Sequence, residues 1–381
     1  MVIMMVAPGR SIHSNNWASA MCDRGHKVHF VTQESFVESK YSFNEGIDQR
    51  FIVHQLPFRG KKGFILNAFA IRQLTKQINP DVIHVQQAAG YGLLGTFTDQ
   101  KKAFVSVYGW EVYDLVKSPV WKAAVGYVLH WYRHIGSTSV CMKEQILRVF
   151  PDIKTPIVVT PFGIDLKKFK KNPVQKAEFI VGTVKKMDQK YGIESLIRAF
   201  DLAFEKLEAE HPEIAENTYL ELVGPGNQVK ELKEIANQTK AKDRIRFIGK
   251  VPHNEVVNWL NRFDIYVAPS ILDSESFGVA VVEASSCERP VIVSNVGGLP
   301  EVVRDNVTGF IVPAKDVQSL SEKIYRLMCD PQKRAEMGKN GRRLVSDMYD
   351  WEKCVDLMEH VYEAIVRGDY SIRAKNMGIG K

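Results

Sequence analysis

The chain has 381 residues, 45% of them hydrophobic and 25% charged, a balance that excludes an intrinsically disordered polymer and leaves room for two domains of ordinary size. Its formal net charge of +7 is compatible with an anionic partner such as a nucleotide or an acidic membrane surface, without demanding one. The five cysteines (Cys22, Cys141, Cys287, Cys329 and Cys354) are scattered and form no CxxC pair, which argues against a zinc site or disulfide framework and fits a reducing cytoplasm.

The opening MVIMMVAPGR lacks the basic stretch and long apolar core of a signal peptide and reads as a buried first strand over 2–7. A helical pattern around NNWASAMCDRG follows, then strand-like runs KVHFVT (27–32), DVIHVQ (81–86), AFVSVYG (103–109) and PIVVTPFG (156–163). The basic, turn-rich FGIDLKKFKKNPVQK marks a boundary near 163–176. The alternation then restarts: FIVGTV (179–184), the helical IESLIRAFDLAFEKLEAE, YLELVG (219–224), RIRFIG (244–249), DIYVAPS (264–270), RPVIVS (289–294) and GFIVPA (309–314). Continuous Val/Ile runs separated by helices are the mark of parallel sheets covered on both faces, and two such series predict two doubly wound α/β domains. YDWEKCVDLMEHVYEAIVRGDY (349–370) reads as a long amphipathic helix. No apolar run approaches the roughly 20 residues needed to span a bilayer.

Doubly wound sheets bind ligands beyond the carboxyl ends of their strands. Lys185, Lys186 and Lys190 follow one strand and precede a helix, a position where lysines beside free helix N–H groups suit a phosphate; an ordinary solvated basic loop has the same pattern. The glycines of GPGN (224–227) are too few for a dinucleotide fingerprint and are equally read as turn formers. ESFGVAVVE (275–283) places Glu275 before a helix expected to open at Phe277, Gly278 and Val279, with Ser274 or Ser276 as cap. Were both helical, Glu283 would lie some 80° from Glu275, so the two predict separate contacts rather than an acid–base pair. Carboxylates there accept from paired hydroxyls such as those of sugars and riboses, although a capped helix with two solvated glutamates has the same signature.

Taken in order, TPFGIDLKKF (160–169), the Lys185…Lys190 loop, LVGPG, RFIGKVP, DIYVAPS, the E-x7-E of ESFGVAVVE and NVGGLPEVVRDNVTGFIVP resemble the retaining glycosyltransferase family 4. The resemblance covers most of 155–315 and only loosely the first half. It implies the GT-B fold: two Rossmann-like domains facing a cleft (1–165, acceptor-binding, and 166–350, donor-binding), with a C-terminal segment, 351–381, whose helix crosses back to the first domain. By the same resemblance Glu275 contacts the donor sugar. The Ser276–Val279 backbone, including the N–H groups of Phe277, Gly278 and Val279, holds sugar and pyrophosphate. Glu283 takes the ribose hydroxyls, and Lys185 (usually arginine) and Lys190 neutralise the diphosphate. Gly9, Gly182 and Gly224 complete the donor side, and Ile248 and Val251 face the base. Tyr108 stands where the family usually has histidine before glycine, and Tyr108 or Glu111 fills that space. Glu288 and Arg289 replace the usual small residues after the cysteine of the E-x7-E helix. No cofactor and no metal are implied, since lysines and a helix N-terminus carry the phosphate charge.

The acceptor side rests on the first half. Between Asp48 and Asp81 the chain has Arg50, Arg59, Lys61, Lys62, Arg72 and Lys76 and no acid, interleaved with Phe58, Phe64, Ile65, Leu66 and Phe69. SPVWKAAVGYVLHWYRH adds Trp121, Tyr127, Trp131 and Tyr132. Such stretches lie in membrane interfaces, or are core residues beside solvated lysines. Within them Arg59, Lys61, Lys62 and Trp121, together with His13 and Glu111, form the candidate acceptor and membrane set; His13 is read equally as a cap of the first helix. The expectation is a cytoplasmic enzyme, peripheral on the inner membrane face. It would move a hexose or N-acetylhexosamine from a UDP-sugar to a polyprenyl-diphosphate-linked saccharide in O-antigen assembly. The rivals are an epimerase of the same fold acting on UDP-N-acetylglucosamine and a non-catalytic nucleotide-sugar sensor. No helix-turn-helix, zinc or RNP-type motif supports nucleic-acid binding.

Overall fold

Strands that are apolar on both faces find partners only inside a parallel sheet sandwiched by helices, and both sheets here are of that kind. The computed structural model describes residues 1–35 and 50–369. The chain divides into two compact units, Met1–Pro161 with Glu352–Lys381, and Phe162–Trp351.

The first unit carries β1 (Val2–Val6), β2 (Lys27–Thr32), β3 (Phe51–Gln55), β4 (Val82–Gln86), β5 (Ala103–Val107), β6 (His134–Ser137) and β7 (Ile157–Val159). They form a seven-stranded sheet in the order β3-β2-β1-β4-β5-β6-β7, parallel throughout. The second carries β8 (Phe179–Val184), β9 (Thr218–Val223), β10 (Ile245–Gly249), β11 (Ile265–Ala268), β12 (Val291–Ser294) and β13 (Gly309–Val312). Its six-stranded sheet runs β10-β9-β8-β11-β12-β13, also parallel. Each sheet therefore reverses its strand order once, between β1 and β4 and between β8 and β11, and such reversals are where doubly wound sheets open a crevice for ligands.

Two of these strands are absent from the sequence expectation. β3 (FIVHQ) is an edge strand with alternating exposure, and β6 (HIGS) is short, with a glycine and a serine in a fully buried position. In β6, Gly136 is required by the Phe104 ring, which would lie 2.5 Å from an added Cβ.

At the crossing between units, Ile164 forms a parallel bridge with Asp350, its N–H donating to the Tyr349 carbonyl at 2.7 Å while Trp351 N–H donates back to the Ile164 carbonyl at 3.1 Å. The helix Trp351–Val366 belongs to the first unit; it buries an apolar face that includes Val355, Met358, Val361, Tyr362 and Ile365, and its acidic residues form ion pairs. Arg24 pairs with Glu352 at 3.0 Å and Glu359 at 3.3 Å, and also with Asp356; His26 lies 2.7 Å from Glu359. Inside, Tyr362 Oη is 2.6 Å from His84 Nδ1, whose Nε2 is 2.7 Å from Ser106 Oγ. Burial pushes His84 down to about 3, so the ring is neutral, with one nitrogen donating and the other accepting. The last part of the expected 351–381 segment, residues 370–381, lies outside the described residues.

Candidate functional site

In the second unit the reversal between β8 and β11 is flanked by the loops 185–192 and 269–278. The two are stitched together by backbone: Ile271 N–H donates to the Lys190 carbonyl at 2.8 Å. A third loop, the glycines after β9, clips the first. Gly224 has φ +138°, and a Cβ there would stand 2.0 Å from the Lys185 carbonyl oxygen; Met187 N–H donates to the Pro225 carbonyl at 2.8 Å and Gln228 N–H to Met187 at 2.9 Å. The structure thus gives Gly224 a packing duty that sets the Lys185–Met187 backbone. Gly182 has one too, because the Phe263 ring would lie 2.4 Å from its Cβ.

On this frame Lys185 Nζ donates to Glu275 Oε1 at 2.8 Å, with only 10% of each side chain exposed. Lys190 Nζ donates to the Ser274 carbonyl at 3.4 Å. Gly298 N–H holds the Glu275 carbonyl at 2.9 Å from the other side. Ser270 Oγ and Ser274 Oγ are buried with no partner among the described residues.

The helix opens later than expected. It spans Val279–Ser286, its cap is Gly278 at φ 90° and ψ 46°, and no serine side chain caps it. Gly278 is needed because a left-handed residue must turn the chain into the helix there. Glu275 accordingly lies wholly in the loop, and the first-turn N–H groups at Val279 are without intrahelical acceptors. The Phe277 ring packs edge-on against Phe162 at 5.8 Å and Tyr349 at 5.4 Å, so only its backbone is open to a ligand. Ser276 beside it is buried.

Glu283 is buried and makes no side-chain hydrogen bond among the described residues; its nearest partner is His253 Nε2 at 4.0 Å. Burial pushes its carboxyl up to about 7, against the opposing fields of Lys168 and Lys185. Ile248 sits at a register shift between Phe247 and Gly249 on the edge strand β10, and Val251 is half-buried just beyond it, on the segment that leads to His253. Lys168, His253 and Tyr191 lie beside these candidates, the first two near Glu283 and the third against Lys185 and Lys190, and are absent from the sequence expectation. The first two stand in or beside quoted motifs, but their convergence on Glu283 depends on loops from separate strands.

The first unit places its candidates differently. Gly9 N–H donates to Thr32 Oγ1 at 3.0 Å and its carbonyl accepts from Asn15 Nδ2 at 3.4 Å, which fixes the turn after β1. Ser11, not His13, caps the first helix, accepting from Ser14 N–H at 3.3 Å. Glu111 is fully buried in the turn after β5. Its Oε1 accepts from Tyr108 N–H at 2.9 Å and Ala88 N–H at 3.3 Å, while Oε2 has no partner among the described residues. It ties the loops after β4 and β5, and Gln87 between them is held at φ 79°. Burial raises the Glu111 carboxyl above its ordinary range and, with the neighbouring Glu111, raises the Tyr108 phenol well above its own.

Arg59, Lys61 and Lys62 are exposed around the helix Gly60–Leu66, beside Phe58 (47% exposed), Ile65 (60%), Leu66 (54%) and Phe69 (78%). Phe64 instead packs edge-on against Tyr91 at 5.2 Å. On the helix Pro119–Trp131, Trp121 is half-buried while Val120 and Tyr127 are exposed; Tyr132 is core, its hydroxyl donating to the Gly92 carbonyl at 2.9 Å. Among the described residues no helix is long and apolar enough to cross a membrane.

Residues 165–344 match the family described as Glycosyl transferases group 1, and residues 2–139 match Glycosyl transferase 4-like. Both units are thus accounted for, and the chain belongs to the glycosyltransferases of GT-B fold. An uncharacterized glycosyltransferase of Methanocaldococcus jannaschii is 25% identical over 370 residues, 94% of this chain and 95% of that protein. The N-acetyl-alpha-D-glucosaminyl L-malate synthase of Bacillus anthracis is 22% identical over 379 residues, 95% of each. A GDP-mannose-dependent monoacylated alpha-(1-6)-phosphatidylinositol monomannoside mannosyltransferase of Corynebacterium glutamicum is 31% identical over 209 residues, 50% of this chain and 52% of that one. Among solved structures, a glycosyltransferase from Rickettsia africae superposes with a TM-score of 0.78 at 18% identity, covering 96% of this chain and 98% of that one. Anabaena HepE in complex with UDP-glucose does so with 0.73 at 17%, covering 95% and 99%.

Proposed function

We propose that the protein transfers a hexose or N-acetylhexosamine from a UDP-sugar, with retention at the anomeric carbon, to a hydroxyl of a lipid-diphosphate-linked saccharide in surface-polysaccharide assembly of the O-antigen type. The observation that carries the donor half is the group at the β8/β11 reversal: two lysines, a helix opening on a left-handed glycine, and a buried carboxyl with no side-chain hydrogen bond among the described residues. Lysines and first-turn amides match a diphosphate. An unpartnered buried carboxyl matches the hydroxyl pair of a ribose.

In the reaction the acceptor oxygen bonds to the anomeric carbon on the face from which the diphosphate leaves. The carbon–oxygen bond to phosphate breaks, and the acceptor's proton passes to a phosphate oxygen of the departing UDP. Lys185 and Lys190 stabilise the charge that accumulates there, and Glu275 orients the sugar hydroxyls. Catalysis is then positioning and electrostatics, which these residues supply without a metal.

The lipid half rests on the exposed apolar residues Phe58, Ile65, Leu66 and Phe69 beside Arg59, Lys61 and Lys62, a mixture suited to an anionic interface. The wild-type protein is expected to sediment with vesicles containing anionic lipid and not with neutral ones. The double variant Leu66→Ser/Phe69→Ser should lose most of that binding at unchanged melting temperature. Equal sedimentation of wild type and variant would remove this patch from the account.

The decisive experiment mixes the purified chain with single UDP-sugars and a short-chain polyprenyl-diphosphate saccharide and weighs the products. A product one sugar heavier fixes the class and the donor. A UDP-sugar bound but never consumed, with lipid, malate or inositol acceptors alike, would favour a sensor.

A further inference from the structure

The two lysines of the donor site share an aromatic partner that no motif assigns. The Tyr191 ring centroid lies 5.0 Å from Lys185 Nζ and 5.0 Å from Lys190 Nζ. Both distances are within the range at which an ammonium is attracted by the negative face of an aromatic ring. Lys185 is otherwise held by Glu275 at 2.8 Å, and Lys190 by a carbonyl at the longer distance of 3.4 Å.

We propose that Tyr191 is a positioning residue for the nucleoside diphosphate, its ring holding the two ammonium groups together so that both meet the same diphosphate. This rests on the donor reading given above. Two like charges at one ring, in a site where Lys185 is only 10% exposed, repel one another. The ring offers an attraction to both that costs no neutralisation, so their full charge remains for the phosphates. Glu275 neutralises only one of them. When a diphosphate arrives it can replace Glu275 at Lys185 while the ring keeps its place.

The ring itself is well fixed. Tyr191 packs against the core of the second unit, its N–H donates to the Asp188 carbonyl at 3.0 Å, and Gly192 follows in a left-handed conformation. A Cβ at Gly192 would stand 2.1 Å from the Pro269 carbonyl oxygen, so the turn after the tyrosine is pinned to the facing loop. Burial, with the nearby Glu275 and Asp188, pushes the phenol up to about 12, so the ring stays neutral at any working pH. The hydroxyl is not needed for the role; the π face is.

The test is calorimetric binding of a UDP-sugar to the full chain, with melting temperatures measured beside it. Tyr191→Phe should bind within about twofold of wild type, and Tyr191→Leu about tenfold more weakly, the size expected for losing two such contacts. Because leucine also alters packing, a fluorinated phenylalanine at 191 supplies a ring of nearly the same shape with a drained face, and it should weaken binding relative to phenylalanine at unchanged melting temperature. Lys190→Ala is measured in parallel. If Lys190→Ala weakens binding while the fluorinated and leucine variants bind like wild type, the ring has no such role and the inference falls alone. If Tyr191→Phe is as weak as Tyr191→Leu, the hydroxyl acts rather than the face, and the inference also falls. If Lys190→Ala itself binds like wild type, the donor site has been misassigned and Tyr191 goes with it.

Discussion

Glu275→Ala is expected to lower turnover by about 10²–10³-fold while leaving the affinity for UDP unchanged or slightly tighter. The two halves of that result come from one geometry. Glu275 is assigned to the transferred sugar, a part that UDP lacks, so its loss removes an interaction that matters only while the sugar is in transit. The same carboxylate accepts from Lys185 at 2.8 Å, so a diphosphate must compete with it for that lysine. Removing the carboxylate frees Lys185 for the phosphate. The folded protein is weakened meanwhile, because an ammonium only 10% exposed is left without its anion; breaking such a pair costs about 3 kcal/mol. Added UDP should therefore raise the melting temperature of Glu275→Ala by more than that of the wild type, since the diphosphate supplies the missing charge. Glu275→Gln, which keeps an acceptor for Lys185 without the charge, should fall between the two. Were UDP affinity and turnover to fall together in Glu275→Ala, the carboxylate would be holding the nucleotide and not the sugar.

The fold was legible because its strands are buried on both faces. VIMMVA and FIVGTV present almost no polar side, DVIHVQ buries even its His84 and Gln86, and a parallel α/β sheet covered on both faces is the arrangement that accommodates such strands. The strands that escaped are those for which this argument fails. FIVHQ sits at an edge, where alternate residues face water, and HIGS is held in place by Phe104 and its neighbours rather than by its own composition. The C-terminal helix was legible as amphipathic, and its apolar face is buried as that pattern requires, but its polar partners Arg24, His26 and His84 are not revealed by its own pattern.

The site was legible as a set of types at strand ends and less so as a geometry. Lysines after β8 and a glutamate before a glycine-started helix can be read in one dimension. That Gly224 serves the backbone of Lys185, that Gly9 N–H donates to Thr32, and that the helix starts at Val279 cannot, because each depends on what another loop brings to within 3 Å. The same holds for the residues that were passed over. Tyr191 is adjacent to Lys190 in sequence, yet its significance lies in being equidistant from Lys185. His253 follows RFIGKVP and reaches Glu283 only because β10 and the helix Val279–Ser286 lie in one unit with their loops at the same end.

Glu283→Gln is expected to make the protein more stable and less able to bind its donor, with both effects depending on pH. The carboxyl is pushed from its ordinary 4.5 up to about 7 by burial. A group whose folded value is raised contributes its stability fully below the unfolded value and loses it as pH climbs through the folded one. The wild type should thus lose about 3 kcal/mol relative to Glu283→Gln between pH 4.5 and about 7, and no more above that. Denaturant titrations of the pair at pH 4.5 and pH 8 measure this difference directly. Binding runs the other way. Ribose hydroxyls donate hydrogen bonds, and the ionised carboxylate accepts them best, so donor affinity in the wild type should rise as pH climbs through about 7. A UDP-hexose is the right probe, because its diphosphate has no free terminal group titrating in that range. With glutamine the affinity should fall by about 10–100-fold at pH 8, the size of a hydrogen bond or two to a charged group, and its pH dependence should flatten. The fields of Lys168 and Lys185 already favour the ionised form, which is how a carboxyl this deeply buried can be charged near neutrality at all. If the stability gap between the two proteins proves independent of pH, the carboxyl titrates normally and burial does not govern it. If the gap appears but donor affinity is untouched, Glu283 is a buried acid of the core and the ribose is held elsewhere. Burial holds the Glu283 carboxyl above its ordinary value, and the paired hydroxyls of a nucleotide would supply the hydrogen bonds that its side chain lacks among the described residues.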